Sequence, residues 1–168
     1  MIRRLVVSDA ETYVVLRREA LDDSPFAFGS SPSDDRARSV AFVREALGDP
    51  RQAVFGAFDP ELVGIVGLNR ELSIKTAHKT RLWGLHVRPV HRGCGLGRSL
   101  VEAAIGFARS LEGVGFVQLS VSERAEVASA LYESLGFVTW GVEPAALRFD
   151  GANVAERHMQ LVLLSGAA

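Results

Sequence analysis

Six residues, Arg92-Gly93-Cys94-Gly95-Leu96-Gly97, combine three glycines in five positions with an apolar run before them and a helix-forming run after them. Glycine leaves the backbone bare, so N–H groups can approach a bound anion closely. A helix opening there adds its unpaired N–H groups and the positive end of its dipole. Arg92 and Arg98 bracket the turn with positive charge. The chemistry this implies is the binding of a diphosphate. Two common phosphate loops do not fit. A nucleotide P-loop needs glycine where Arg92 stands and lysine where Arg98 stands. The dinucleotide fingerprint needs a further glycine three residues after the second, and that position is Arg98 or Leu100, depending on which glycine pair is counted.

The pattern that fits, Arg-x-x-Gly-x-Gly, resembles the acyl-CoA pyrophosphate loop of the GNAT superfamily of N-acetyltransferases. A second segment agrees with it in order and separation. Val121, Ala128, Leu131-Tyr132 and Gly136-Phe137 follow the family spacing, with one departure: a usual Asn is Ala125. Shorter runs, Ser24 to Gly29, Leu82 to Val87 and Gly141 to Met159, resemble a bacterial-type branch of the same superfamily.

The resemblance implies a mixed α/β fold with a mostly antiparallel central sheet, splayed strands and about four helices. It implies acetyl-CoA as co-substrate and an amine as acceptor, joined by direct attack without an acyl-enzyme. Leu85, His86 and Val87 would present a strand edge to the pantetheine amides. Gly93, Cys94, Gly95, Leu96, Gly97, Arg92 and Arg98 would hold the pyrophosphate, with His91 nearby. Tyr132 stands where the family places the acid that protonates the departing thiolate. Ala125 removes an amide that commonly contacts CoA.

An alkylamine has a pKa of roughly 10, so a general base would help its attack. A frequent family glutamate position is Ser120 here. His86 is one candidate, since an imidazole suits proton transfer at neutral pH; Glu123, Glu143, Glu156 and an ordered water are others. Two further readings compete with a small-molecule acceptor. One makes the acceptor a protein N-terminus or lysine. The other makes the chain a CoA-binding regulatory module without turnover. His78, His86, His91 and His158 have no metal-ligand spacing, so no metal is expected.

These residues need a scaffold, and the remaining pattern supplies one. The 168 residues, 48% hydrophobic and 23% charged, suit one domain over residues 1–168. A net charge of −1 makes no case for nucleic acid or anionic membranes, and one cysteine excludes an internal disulfide framework. No apolar run suits a signal peptide or a membrane span, so a cytoplasmic location is expected. A homodimer is permitted by the strand edges.

Ser8 to Glu11 reads as a capping box opening a helix to Asp22, and Ser31-Pro32 as the start of the next, which Gly48 ends. Residues 53–58 and 62–68 read as a hairpin. His78 to Val87 reads as a strand in which Trp83, Leu85 and Val87 share a face. A helix over 97–110, a strand over 116–121, a helix over 126–135 and strands over 137–142 and 156–163 complete the order. The polar loop Ser24–Asp35 and the segment Gly141–Glu156 are expected to flank the acceptor entrance.

Overall fold

The computed structural model describes residues 1–163. Strand β1 (Ile2–Arg4) leads into helix α1 (Ala10–Asp23), and α2 (Val40–Gly48) follows. Strands β2 (Gln52–Asp59), β3 (Glu61–Arg70) and β4 (Lys79–Val87) come next, then α3 (Leu96–Ser110), β5 (Phe116–Ser122), α4 (Glu126–Ser134), β6 (Val138–Phe149) and β7 (Ala152–Val162). The seven strands form one sheet in the order β1-β2-β3-β4-β5-β7-β6. Every pairing is antiparallel except β4 with β5. No helix among the described residues is long and apolar enough to cross a membrane.

Two apolar clusters cover the sheet, one on each face. Helix α3 buries Leu100, Val101, Ala104, Ile105 and Ala108, the i, i+3/i+4 stripe of an amphipathic helix, against Val66, Leu68, Leu82, Val117 and Leu119. Removing each large side chain from water contributes about 1.5–3 kcal/mol. On the other face α1 and α2 pack Tyr13, Leu16 and Val43 against Val54, Leu62 and Ile65.

Local signals misplace one cap and two boundaries. Helix α1 runs within one residue of the expected Asp9–Asp22, but Ser8 does not cap it. The Asp9 carboxylate is taken by Arg3 at 2.7 and 2.8 Å and by the Val6 N–H at 2.8 Å. Helix α2 begins at Val40, because Ser39 accepts from the Phe42 N–H at 3.3 Å. Ser31 instead donates its own N–H to Asp34 at 2.7 Å, closing a local turn. The segment after Val142 is a long hairpin, not an irregular stretch. Strands β6 and β7 pair out to Phe149↔Ala152 across Asp150-Gly151, both at positive φ as a two-residue primed turn requires.

Candidate active site

The site begins with a defect in β4. Ile65 pairs with His86 but Gly67 pairs with Trp83, so β4 carries one extra residue. Gly84, at φ +68°, takes up the bulge, a conformation open to glycine without strain. The bulge resets the alternation. Trp83 packs with the α1–α2 cluster, whereas Leu85 and Val87 pack toward α3, so the three do not share a face as simple alternation predicts. Beyond this point β4 has no partner on its far side among the described residues. It pairs with β5 only from Lys79↔Phe116 to Arg81↔Gln118. The strands then diverge, and the edge of Leu85, His86 and Val87 faces a gap.

At the end of β4 the chain turns through Pro89–His91 and enters the glycine loop. Gly93 (φ +81°) and Gly95 (φ +84°) are both left-handed, and a Cβ at either would stand in open space. Ser99 is the first N–H to bond back into the helix, to the Gly95 carbonyl at 3.1 Å. The N–H groups of Leu96, Gly97 and Arg98 precede it and face outward at the helix start.

A cleft of about 570 Å³ joins the two features. Leu85, His86 and Val87 form one wall; Gly93, Gly95, Leu96 and Gly97 form the floor with Arg92. Phe26 and Phe28, from the turn after α1, and Ala128 and Leu131, on α4, close the other sides. Another cavity, about 410 Å³, lies between α1 and α2 beside Trp83 but holds none of the loop residues. Among the described residues, the bare N–H groups at the start of α3 and the unpaired strand edge converge on the first, which is therefore the candidate site.

Several predicted residues sit differently from expectation. Arg98 donates to Ser134 Oγ at 2.6 Å and lies 3.5 Å from Glu102, so its guanidinium is held along α4 and does not bracket the loop. Cys94 is exposed, hydrogen-bonds to the His91 carbonyl at 2.9 Å and does not line the cleft. Arg92 donates to the Val87 carbonyl at 2.8 Å and pairs with Asp23 at the end of α1. Arg88 is fixed the same way, with 2.7 and 2.9 Å bonds to Glu19. Helix α1 thus ties down both the strand end and the loop.

His86 is buried, and its Nε2 has no hydrogen-bond partner among the described residues. Burial, reinforced by the Arg92 charge, pushes its imidazole down to about 4. It is therefore neutral at pH 7 and a weak proton acceptor, which counts against the general-base role. Tyr132 lies behind the wall that Ala128 and Leu131 form, edge-on to Phe137 at 5.7 Å. Burial pushes its phenol far above the usual value, so it stays protonated at neutral pH.

Two features escaped the sequence. Arg124, between β5 and α4, adds a cation to the cleft. The strand register also brings Ser120 Oγ within 2.9 Å of His158 Nδ1, and His158 Nε2 within 3.3 Å of Glu143. Glu156 lies on the same face, its carboxyl raised chiefly by burial. Among the described residues no three His, Cys, Asp or Glu side chains cluster as a metal site would need.

Comparison with known proteins agrees with this geometry. Residues 14–137 match the model of the acetyltransferase (GNAT) family. The N-alpha-acetyltransferase RimI of Mycobacterium tuberculosis is 34% identical over 121 residues, covering 71% of this chain and 73% of that protein. A mycothiol acetyltransferase of Salinispora tropica is 30% identical over 135 residues, covering 79% of this chain but only 42% of the relative. The structure of YncA, a putative acetyltransferase from Salmonella typhimurium with its cofactor acetyl-CoA, superposes with a TM-score of 0.81 at 22% identity, covering 100% of this chain and 96% of that one. The chain belongs to the acetyltransferase (GNAT) family.

Proposed function

We propose that this protein transfers the acetyl group of acetyl-CoA to a primary amine of a small molecule by direct attack in a ternary complex. The observation that carries the reading is the divergence of β4 from β5 directly above a bare helix N-terminus. A pantetheine arm has amides for the unpaired edge, and a pyrophosphate has oxygens for the free N–H groups. The open space above Gly93 and Gly95 fits a phosphate against the backbone, and Arg92 and Arg124 supply fixed charge beside it. A backbone N–H on the free edge of Leu85–Val87 would polarise the thioester carbonyl as it gains negative charge. Tyr132 is kept protonated by burial, and it would donate to the departing sulfur only where its hydroxyl reaches past Ala128 and Leu131 into the cleft. An acetyl-CoA thiol-release assay over a panel of amines tests the reading.

The likeness to a protein named as an N-alpha-acetyltransferase favours a second acceptor class, the N-terminus of a polypeptide. Including short peptides with free N-termini in the panel separates the two. Thiol release with peptides alone supports the second reading.

A further inference from the structure

Three strands of the sheet contribute one residue each to a hydrogen-bonded line: Ser120 from β5, His158 from β7 and Glu143 from β6. Their approach is set by register, because His158 pairs with Ser120 on one side and with Gly141 on the other. The Glu143 carboxylate can only accept, so His158 Nε2 carries the hydrogen and donates to it at 3.3 Å. Nδ1 then holds a lone pair and accepts the Ser120 hydroxyl at 2.9 Å. The indole of Trp140 stacks on the imidazole, 5.3 Å between centroids and 27° between planes, and fixes the ring's orientation.

The line ends at the fork of the sheet. Ser120 lies two residues beyond Gln118, the last residue of β5 paired with β4. Val117, Leu119 and Val121 face the α3 cluster, so Ser120 faces the opposite side, the side of α1. The turn at Pro25–Ala27 leaves α1 and crosses that face to meet β5 and β6. Ser120 does not line the cleft itself; it is the first residue of β5 on this face past the last β4–β5 pair, Arg81↔Gln118, where the gap bordered by Leu85–Val87 begins. Glu156 and Arg81 lie on this face too, with Glu71 3.7 Å from Arg81, and Glu156 feels both His158 and Glu143.

We infer that Ser120, His158 and Glu143 are the proton path by which the acceptor nitrogen is deprotonated, an inference that rests on the acetyltransferase reading above. The neutral amine attacks the thioester carbon; the C–N bond forms and the carbonyl π electrons move to oxygen. The nitrogen, now cationic, gives its proton to Ser120 Oγ as the Ser120 proton passes to His158 Nδ1. The imidazolium so formed is paired with Glu143. The oxygen's electrons then re-form the carbonyl, the C–S bond breaks with its electron pair on sulfur, and the thiolate takes a proton from Tyr132 or water. His158 then releases its proton to solvent, and the tyrosinate or hydroxide left by protonation of the thiolate regains a proton from solvent. Ser120 is the residue that touches the acceptor; His158 and Glu143 act through it.

The test is amine-dependent thiol release against pH for wild type, His158→Gln, His158→Ala with and without added imidazole, and Glu143→Gln. Acetyl-CoA affinity is measured for each by calorimetry. The expected result for His158→Gln is a fall in kcat of at least roughly 10²-fold, the low end for general-base catalysis, with acetyl-CoA affinity unchanged. The acid limb of the wild-type profile should vanish, and imidazole should restore His158→Ala, a response that lost packing would not give. Glu143, half exposed, can be replaced without burying a charge, so Glu143→Gln keeps the test open if the histidine variants misfold; it should lose rate in the same direction. Wild-type rates and an unaltered pH profile in folded His158→Gln or Glu143→Gln would overturn the proton path and leave the acetyltransferase reading intact. A wild type that binds acetyl-CoA but acetylates neither amines nor peptides would overturn both.

Discussion

Replacing Gly95 by valine separates binding from folding more cleanly than any other single change in the loop. Gly95 is the N-cap of α3 at φ +84°, ψ 0°, with no atom within 4 Å of where a Cβ would stand. The folded protein therefore meets no clash, only the left-handed strain of a non-glycine residue, about 1–2 kcal/mol. The branched side chain instead fills the space through which a phosphate oxygen must reach the N–H groups at the helix start. Losing two charge-assisted hydrogen bonds at about 1.5–3 kcal/mol each weakens CoA binding by about 3–6 kcal/mol. At 1.4 kcal/mol per decade that is roughly 10²- to 10⁴-fold in Kd. Calorimetric titration with CoA, alongside urea unfolding, reads both effects. Gly106→Ala is the control: it lies mid-helix on α3 with open space at its Cβ, and alanine there should stabilise by about 0.5–1 kcal/mol without touching Kd. A Kd within threefold of wild type in folded Gly95→Val would refute the placement of the pyrophosphate on this loop.

Tyr132→Phe keeps the ring and its contact with Phe137, so acetyl-CoA affinity should hold while single-turnover transfer falls by roughly 10²-fold; equal rates would make Tyr132 a packing residue only. Asp35→Ala strands the buried Arg17 guanidinium, whose Nε now donates to Asp35 at 2.7 Å, and should cost about 3–5 kcal/mol in urea unfolding; replacing both by apolar residues should cost much less. His86 titrates near 6.5 when unfolded and at about 4 when folded, so the unfolded state binds more protons between those pH values. Stability should therefore fall by at most about 3 kcal/mol as pH drops from 6.5 to 4, and His86→Leu should flatten that slope. The carboxyls of Glu19 and Asp23, held low by Arg88 and Arg92, add to the fall only at the acid end of this range, so the upper part of the slope reports His86.

What could be read from the sequence was what is decided locally. The glycine loop is legible because a left-handed Gly93 and Gly95 are demanded by the turn itself, whatever packs nearby. The α3 stripe and the β2–β3 hairpin are legible for the same reason. Nearby signals of equal plausibility misled where they compete: Asp9 satisfies Arg3 and Val6 rather than a capping box, and Ser31 closes a turn on Asp34 while Ser39 starts α2. The far half of the β6–β7 hairpin was hidden because Glu143-Pro144-Ala145-Ala146 has little strand propensity; its irregular register between Glu143 and Leu147 accommodates them. The bulge at Gly84 needed knowledge of which β3 residue faces which β4 residue. His158 was invisible as a partner of Ser120 because the two stand 38 positions apart in sequence and only the antiparallel register brings them together.

Acetyl transfer to an amine through a ternary complex in the cleft between β4 and β5 is checked by initial-rate kinetics with both substrates varied and the acetylated amine quantified by mass spectrometry. One CoA thiol should be released per acetylated amine, with intersecting double-reciprocal lines. Acetyl-CoA binding without amine-dependent product would contradict it, as would parallel lines with an acetylated protein intermediate.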